Sequence, residues 1–232
     1  MYKIPANTLF TGKNLVYVPQ CHSTNTLAAD LSQKTGVPEG TVVITNNQTA
    51  GKGQRGNTWE AEAGKNLTFS VLLKPFFLSA REQFYLTVIT SLAVRDSVAM
   101  HLGEEVKIKW PNDIQVNGKK IAGILIENNL SGDRVSQSIL GIGLNVNQTT
   151  FTTPTATSLS AISDEDYDTN TILSSVLENL EGYYLRLRKG DASALRNAYY
   201  EHLYWLNEKH LFEVGGKEVS GIITGVDTTG YI

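Results

Sequence analysis

Apolar residues recur along this chain with two spacings, one typical of helices and one typical of strands. Leu27, Ala28 and Leu31 have helical spacing and follow good N-cap residues at 23–25, so a short helix is predicted there. Longer stretches with the same spacing predict helices over 80–102, 171–189 and 192–205. Alternating or continuously apolar stretches predict strands over 41–45, 67–73, 106–110, 113–116, 120–127 and 137–147.

The middle of the chain, 106–147, is predicted to fold as an antiparallel sheet. Asn117-Gly118 separates two of its strands, and this dipeptide is a strong signal for a two-residue hairpin turn. With the helices around it, this sheet gives an α+β fold class, a mixed or antiparallel sheet with helices packed on it.

The C-terminal segment also has a strand-like pattern, punctuated by Gly215-Gly216 and Gly221. It would supply too few strands for an independent sheet domain. The segment therefore either packs on the main domain or belongs to a small β-barrel. We expect a main domain at 1–208 and the start of a small C-terminal β domain at 209–232.

Composition narrows the class of protein. The 232 residues are 41% hydrophobic and 19% charged, which is ordinary for a globular protein, and no apolar stretch has the length of a membrane span. The start of the chain lacks a signal-peptide pattern, so the expected location is the cytoplasm. A net charge of −3 disfavours nucleic acid as the main partner, and the single Cys21 excludes an intramolecular disulfide.

A glycine-rich loop follows the predicted strand at 41–45. Residues 50–59 read AGKGQRGNTW, with Lys52 and Arg55 between the glycines. Glycines let backbone N–H groups approach an anion, and the two cations add charge-assisted hydrogen bonds, so the loop suits a phosphate or carboxylate. A flexible surface loop with solvated cations is the alternative. The pattern is neither a P-loop nor a dinucleotide-binding fingerprint.

Two further segments combine polar and small residues inside predicted strands. Pro111 interrupts a strand beside Asn112 and Asp113. These two residues suit contacts with a hydroxyl group or a metal ion. In isolation, they favour a turn that is capped by its own side chains. Lys120 opens a strand containing Ala122 and Gly123, which either leaves room for a ligand or forms a tight helix–sheet contact.

A third segment, 141–147, reads GIGLNVN. Its asparagines occupy alternate positions and so point to the same face of a strand. From spacing alone, Asn145 is equally suited to strand packing and to hydrogen bonding with the edge of an adenine base.

Taken in order, these elements resemble the successive signatures of the biotin protein ligase catalytic domain. They are Ser23-Thr24-Asn25, Gln48 before GKGQRGNTW, KWPND, KxAGIL and GIGLNVN, and they span roughly 20–150. The resemblance implies a class II synthetase-like catalytic domain with a small, incomplete C-terminal SH3-like β segment. It also implies ATP-dependent conversion of biotin to biotinyl-AMP and transfer of biotin to a lysine of a biotin carboxyl carrier protein domain.

The resemblance also assigns residues. Lys120 is implied as the catalytic cation between carboxylate and phosphate. The implied biotin-binding residues are Ser23, Thr24, Asn25, Gln48, Lys52, Gly53, Gln54, Lys120 and Gly123. Of these, Ser23, Thr24 and Gln48 are implied to hydrogen-bond the ureido ring. The implied ATP- or adenylate-binding residues are Lys52, Gln54, Arg55, Trp59, Asn112, Lys120 and Asn145. Magnesium is expected with ATP, with ligands unknown and Asp113 the nearest contributor.

The chain departs from the family pattern in the loop and in length. The family's loop usually reads Gly-Arg-Gly-Arg, whereas Lys52 and Gln54 stand at the arginine positions, so retention of the intermediate is in doubt. Only some 20 residues precede Ser23, so the chain resembles the short, non-regulatory type without a DNA-binding domain.

Biotin, ATP and the carrier domain are the expected partners, with no DNA and no membrane, and a homodimer is considered. A lipoate or other acyl-protein ligase of the same fold is the nearest alternative. A non-enzymatic biotin-binding or DNA-binding regulator is the alternative from another class.

Overall fold

A computed structural model, which describes residues 2–232 apart from the side chain of Arg55, has a seven-stranded mixed sheet at its centre. The strands are β1 (Leu15–Cys21), β2 (Val42–Gln48), β3 (Leu67–Leu73), β4 (Val106–Lys109), β5 (Asp113–Val116), β6 (Lys119–Ser131) and β7 (Arg134–Leu144). Their spatial order is β1-β2-β3-β7-β6-β5-β4. β1 and β2 pair in parallel and all other neighbours are antiparallel, which confirms the predicted α+β class.

Helices cover both faces of this sheet. They are α1 (Thr24–Ser32), α2 (Phe84–Leu102), α3 (Leu159–Ser163), α4 (Thr169–Arg188) and α5 (Ala192–Glu201). On one face Ala28 of α1 packs against Val43, Leu72 and Ile139. On the other face, α2, α4 and α5 pack on the sheet and form the large core. Strand β3 is buried along its whole length. Among the described residues, no helix is both long and apolar enough to cross a membrane.

Most predicted elements agree with the structure, but β1 was not predicted, and several element ends differ because distant contacts set them. The helix predicted from Ala80 begins at Phe84, because Ala80–Glu82 forms a 3-10 turn whose first N–H donates to Asp133 O at 2.8 Å. The strand predicted over 137–147 is β7, which lies three residues earlier, at Arg134–Leu144. Helix α3 was not predicted, since a helix of five residues has no clear period.

Both glycine-containing turns form as their sequences predict. Asn117 and Gly118 have φ values of 51° and 74°, and they join β5 to β6. Gly215 and Gly216 have φ values of 59° and 77°. Positive φ at both central residues matches the right-handed twist of the strands, which explains the choice of asparagine and glycine.

The C-terminal segment forms a two-stranded sheet, β8 (Lys209–Val214) and β9 (Lys217–Ile222), and then returns to the main domain. After β9, Ile223 and Val226 are buried in the large core. The Tyr200 hydroxyl donates to Val226 O at 2.6 Å, and Trp110 Nε1 donates to Gly230 O at 2.8 Å. The residues after the hairpin therefore pack on the main domain.

The pairing of β3, β7 and β6 aligns small residues on one face. Gly143 pairs with Thr68 on one side and with Gly123 on the other, and Gly141 pairs with Ser70. Paired residues point to the same face of a sheet. The sheet therefore has a face with few bulky side chains, and α1 begins at its edge.

Candidate active site

A cavity of about 270 Å³ lies over this glycine-rich face. It collects residues from the start of α1, the loop after β2, the turn before β5 and the start of β6. Most of the predicted site residues line it: Ser23, Thr24, Asn25, Gln48, Lys52, Gly53, Gln54, Trp59, Asn112, Asp113, Lys120 and Gly123. Segments up to a hundred residues apart thus meet at one site.

Glycines form the floor of the cavity. A Cβ at Gly143 would lie 2.5 Å from Cζ2 of Trp59, and a Cβ at Gly141 would lie 2.9 Å from Cγ of Asn25. Either approach is closer than carbon atoms tolerate, so both positions require glycine. Sequence reasoning did not assign Gly141 and Gly143 to the site, although two glycines at alternate strand positions were a usable signal.

Trp59 covers this floor. Its ring lies over Gly143 and next to Gly123, and the Lys120 ammonium lies 5.7 Å from the ring centroid. The indole Nε1 is buried and has no hydrogen-bond partner among the described residues. A buried donor without a partner is costly, so this N–H is available to an acceptor on a ligand.

Lys120 lies at the second residue of β6 with its ammonium 2.7 Å from Asp113 Oδ1. The backbone of Lys120 is fixed by two hydrogen bonds, one accepted by Thr155 O at 2.7 Å and one donated by Thr157 N at 2.9 Å. The charged residues that line the described cavity are Lys52, Asp113 and Lys120, so cations outnumber carboxylates there. The cavity suits an anionic ligand.

The glycine-rich loop folds over the cavity mouth as a narrow hairpin. Gly53 N donates to Asn57 O at 2.7 Å, Trp59 N donates to Gly51 O at 3.0 Å, and a 3-10 turn occupies Gln54–Gly56. Lys52 and Gln54 line the cavity, while the side chain of Arg55 lies outside the described structure. The loop thus contributes both a cation and an amide to the cavity lining.

Hydroxyl and amide groups line the end of the cavity at the start of α1. The backbone N–H of Thr24 donates to Gln48 Oε1 at 2.8 Å. Because Oε1 accepts this bond, the Nε2 of Gln48 is left to donate elsewhere. Ser23 and Thr24 are 4% and 3% exposed, and both line the cavity, so this end is a buried polar pocket.

Asn112 lies in the turn between β4 and β5 that its local sequence favoured, but its side chain bonds outside that turn. Its Nδ2 donates to Ile124 O at 2.7 Å, and its own carbonyl accepts from Ile124 N at 2.9 Å. Asn112 thereby extends the β5–β6 pairing by one residue and holds the cavity wall.

Among the predicted site residues whose side chains the structure describes, Asn145 is the one that the cavity lining does not include. It is 3% exposed, and its Nδ2 donates to Thr157 O at 2.9 Å, which fastens the segment beside Lys120. Its Oδ1 is buried without a partner among the described residues. Asn145 lies one residue beyond the end of β7, so the strand position predicted for it is wrong, and a role at adenine remains a prediction.

No group of three or more His, Cys, Asp or Glu side chains that could hold a metal ion occurs in the described part of the chain. Asp113 is the one carboxylate at the cavity, and it is paired with Lys120. A single carboxylate is the usual protein contribution where magnesium is held mainly by substrate phosphates. The residues thus fit an ion that arrives with a phosphate ligand.

Comparison with known families gives a match over much of the chain. The model of the biotin/lipoate A/B protein ligase family matches residues 17–145, the segment that contains most of the cavity lining.

Relatives of known name agree with this match. The biotin–[acetyl-CoA-carboxylase] ligase of Mycobacterium tuberculosis is 33% identical over 95% of this chain and 82% of its own length. The bifunctional ligase/repressor BirA of Bacillus spizizenii is 36% identical over 75% of this chain, and the match spans 54% of the relative, about half its length.

A solved structure has the same fold. The biotin protein ligase of Aquifex aeolicus in complex with biotin and ATP superposes with a TM-score of 0.78 at 27% identity, covering 94% of this chain and 90% of that one.

Proposed function

This chain belongs to the biotin/lipoate A/B protein ligase family, and we propose that it is a ligase that activates biotin with ATP and transfers the biotinyl group to a lysine of a carrier protein. The observation that carries the proposal is one cavity that joins a hydroxyl and amide pocket at the start of α1 to the Lys120 cation at the start of β6. Such a cavity suits a ligand with a neutral hydrogen-bonding ring and a carboxylate tail, as biotin has.

The first step brings two anions together, because the biotin carboxylate attacks the α-phosphate of ATP and pyrophosphate leaves. Lys120 and Lys52 supply positive charge in the cavity, and the Trp59 indole N–H adds a donor. Preorganised donors and cations of this kind lower the energy of the developing charge in the transition state. Asp113 holds the Lys120 ammonium in place before the substrates enter.

The product of this step is biotinyl-AMP, a mixed anhydride that water would destroy. We propose that the loop 51–59 keeps water out while the intermediate waits for the acceptor. The acceptor lysine amine then attacks the biotinyl carbonyl, AMP leaves, and an amide bond forms. No covalent bond to the enzyme is needed in either step.

Magnesium belongs to the proposal as an ion that enters with ATP, with Asp113 as the protein carboxylate in reach. When bound there it would offset the charge of the phosphates. The remaining site roles assigned by resemblance, including those of Asn25, Arg55 and Asn145, are proposals as well.

The carrier domain of a biotin-dependent carboxylase is the proposed acceptor, and the cytoplasm is the proposed location. The proposal includes no DNA partner, in keeping with the net charge of −3. A homodimer and the division into 1–208 and 209–232 stay predictions.

The test is ATP–pyrophosphate exchange with biotin or lipoate as the acid, together with calorimetric titration of each acid with and without ATP. We expect biotin-dependent exchange and little with lipoate, because the dithiolane ring of lipoate cannot use the polar pocket. Exchange that depends on lipoate and not on biotin would assign the chain to the other branch of the family. Binding of biotin without any exchange would indicate a binding protein.

A further inference from the structure

Ser70 lies behind the polar pocket and connects two of the residues that line it. It is on β3, is 0% exposed, and is not part of the cavity lining. Its Oγ lies 2.6 Å from Asn25 Oδ1 and 2.8 Å from Thr24 Oγ1. A hydroxyl has one proton, so it can donate to only one of these neighbours.

The surroundings of Asn25 decide where that proton goes. Asn25 Nδ2 lies 2.7 Å from Glu127 Oε2 and 3.2 Å from Leu125 O, which are both pure acceptors. The reversed amide would place its oxygen against these two oxygens, so Asn25 Oδ1 must face Ser70. An amide oxygen accepts only, and Ser70 therefore donates to Asn25.

The direction of the next bond follows. Since the Ser70 proton is used, Ser70 Oγ accepts from Thr24 Oγ1 at 2.8 Å, which is shorter than the 3.3 Å from Thr24 Oγ1 to Gln48 Oε1. The Thr24 hydroxyl then has its proton directed away from the cavity and its remaining lone pair free. Gln48 Oε1 already accepts the backbone N–H of Thr24, so Gln48 Nε2 is free to donate.

The pocket thus presents an acceptor at Thr24 and a donor at Gln48. A cyclic urea has the complementary pair, an N–H and a C=O on adjacent atoms. A dithiolane ring has neither, so the same pocket would leave both groups unsatisfied, which is costly when they are buried.

We propose that Ser70 is a positioning residue that fixes the Thr24 hydroxyl as an acceptor in this pocket and thereby supports selection of biotin. This inference rests on the proposed function. Asn25 and Glu127 belong to the same relay, because they direct the Ser70 proton. Neither Ser70 nor Glu127 has been counted among the site residues above.

The experiment compares Ser70→Ala, Ser70→Val and Ser70→Thr in ATP–pyrophosphate exchange. Valine and threonine have nearly the same shape, so their difference isolates the hydroxyl. We expect the KM for biotin to rise about tenfold in the alanine and valine variants, equivalent to about 1.4 kcal/mol, and to stay near wild type in the threonine variant. Desthiobiotin, which keeps the cyclic urea, should show the same factor, whereas the KM for ATP and kcat should change less than twofold.

Ser138→Ala is the matched control, because Ser138 is another 0% exposed strand serine, on β7, whose Oγ has no partner among the described residues. It should keep the wild-type KM. Thermal unfolding of each variant checks the fold, and if the alanine variant unfolds, the threonine–valine comparison decides.

An unchanged biotin KM in the alanine and valine variants would overturn the role of Ser70, as would an equal rise in the KM for ATP or a threonine variant as impaired as valine. A wild-type protein without biotin-dependent exchange would instead refute the proposed function, so the two failures are distinguishable.

Discussion

Glu181 of α4 offers a quantitative test of how the N-terminal segment is held. Its side chain is 5% exposed and accepts backbone N–H groups from three successive residues. Leu9 N lies 2.5 Å from Oε1, and Phe10 N and Thr11 N lie 2.9 and 2.8 Å from Oε2. We predict that Glu181→Gln lowers the free energy of unfolding, because an amide can accept at one atom only.

The magnitude follows from these bonds. Hydrogen bonds to a charged group are worth about 1.5–3 kcal/mol each, roughly twice a neutral bond. The glutamine oxygen can keep the bonds from Phe10 and Thr11 at about half strength, but the bond from Leu9 is lost. At the lower end of this range the sum is about 3 kcal/mol, which lowers the Tm of a chain of this length by about 6–12 °C.

The effect should depend on pH. Burial works to raise the pKa of Glu181, but the backbone N–H groups of residues 9–11 outweigh it, and the net pKa is lowered. A carboxyl whose folded pKa is depressed contributes stability above its unfolded pKa of about 4.3, and that contribution is lost as the pH falls through the folded pKa. The Tm difference between wild type and Glu181→Gln should therefore be full at pH 7 and shrink towards pH 3.

The assay is calorimetric or circular-dichroism melting of both proteins across this pH range. Glu178→Gln is the matched control, since Glu178 lies one turn earlier on α4 and accepts a single side-chain bond from Asn7 Nδ2 at 3.1 Å. It should change the Tm by no more than about 2 °C. An equal loss in both variants, or a Tm difference that stays constant with pH, would refute the reasoning.

Three other predictions concern the site. Lys120→Ala should slow ATP–pyrophosphate exchange about a hundredfold, about 3 kcal/mol, with an unchanged fold, and near wild-type exchange would show that Lys120 is misassigned. Gln54→Arg should reduce biotin labelling of a non-acceptor protein, because a guanidinium holds the adenylate phosphate more strongly than an amide; equal or greater labelling would contradict this. Gly143→Ala should displace the Trp59 indole, change tryptophan fluorescence and weaken biotin binding about tenfold in calorimetry, about 1.4 kcal/mol. Gly182→Ala is the control, because a Cβ there meets nothing within 4 Å, and it should leave the fluorescence and the biotin affinity unchanged. Equal biotin affinities in the two variants would argue against the glycine floor.

The sequence predicted those parts of the fold that depend on local patterns. The strand at 67–73 was found with its observed bounds, because every residue in it is apolar or β-branched except Ser70 and all are buried. The turn at Asn117-Gly118 followed from the backbone freedom of those two residues. Such features need no knowledge of the rest of the chain, which is why they are predictable.

Element ends set by distant partners were not predictable in this way. Strand β6 continues to Ser131 through polar residues, because its pairing with β7 extends to the Ser131–Arg134 hairpin. Helix α3 depends on Ser158, whose Oγ accepts from Ala161 N at 3.0 Å, and on Ser160 N, which donates to Val146 O at 2.9 Å. In each case the stabilising partner lies outside the window in which periodicity is judged.

The same division explains the site. Motif resemblance identified many of the polar residues that face the cavity, but it missed the glycine floor at Gly141 and Gly143. It could not identify what orients the polar residues, since Asn25 is fixed by Ser70, Leu125 and Glu127, which lie 45 to 102 residues away. In the sequence, Ser70 is one small polar residue in an apolar strand, and a small residue at such a position usually serves packing alone. The pairing of β3 with β2 and β7 places Ser70 under α1, and there its single hydroxyl proton determines that the Thr24 hydroxyl accepts.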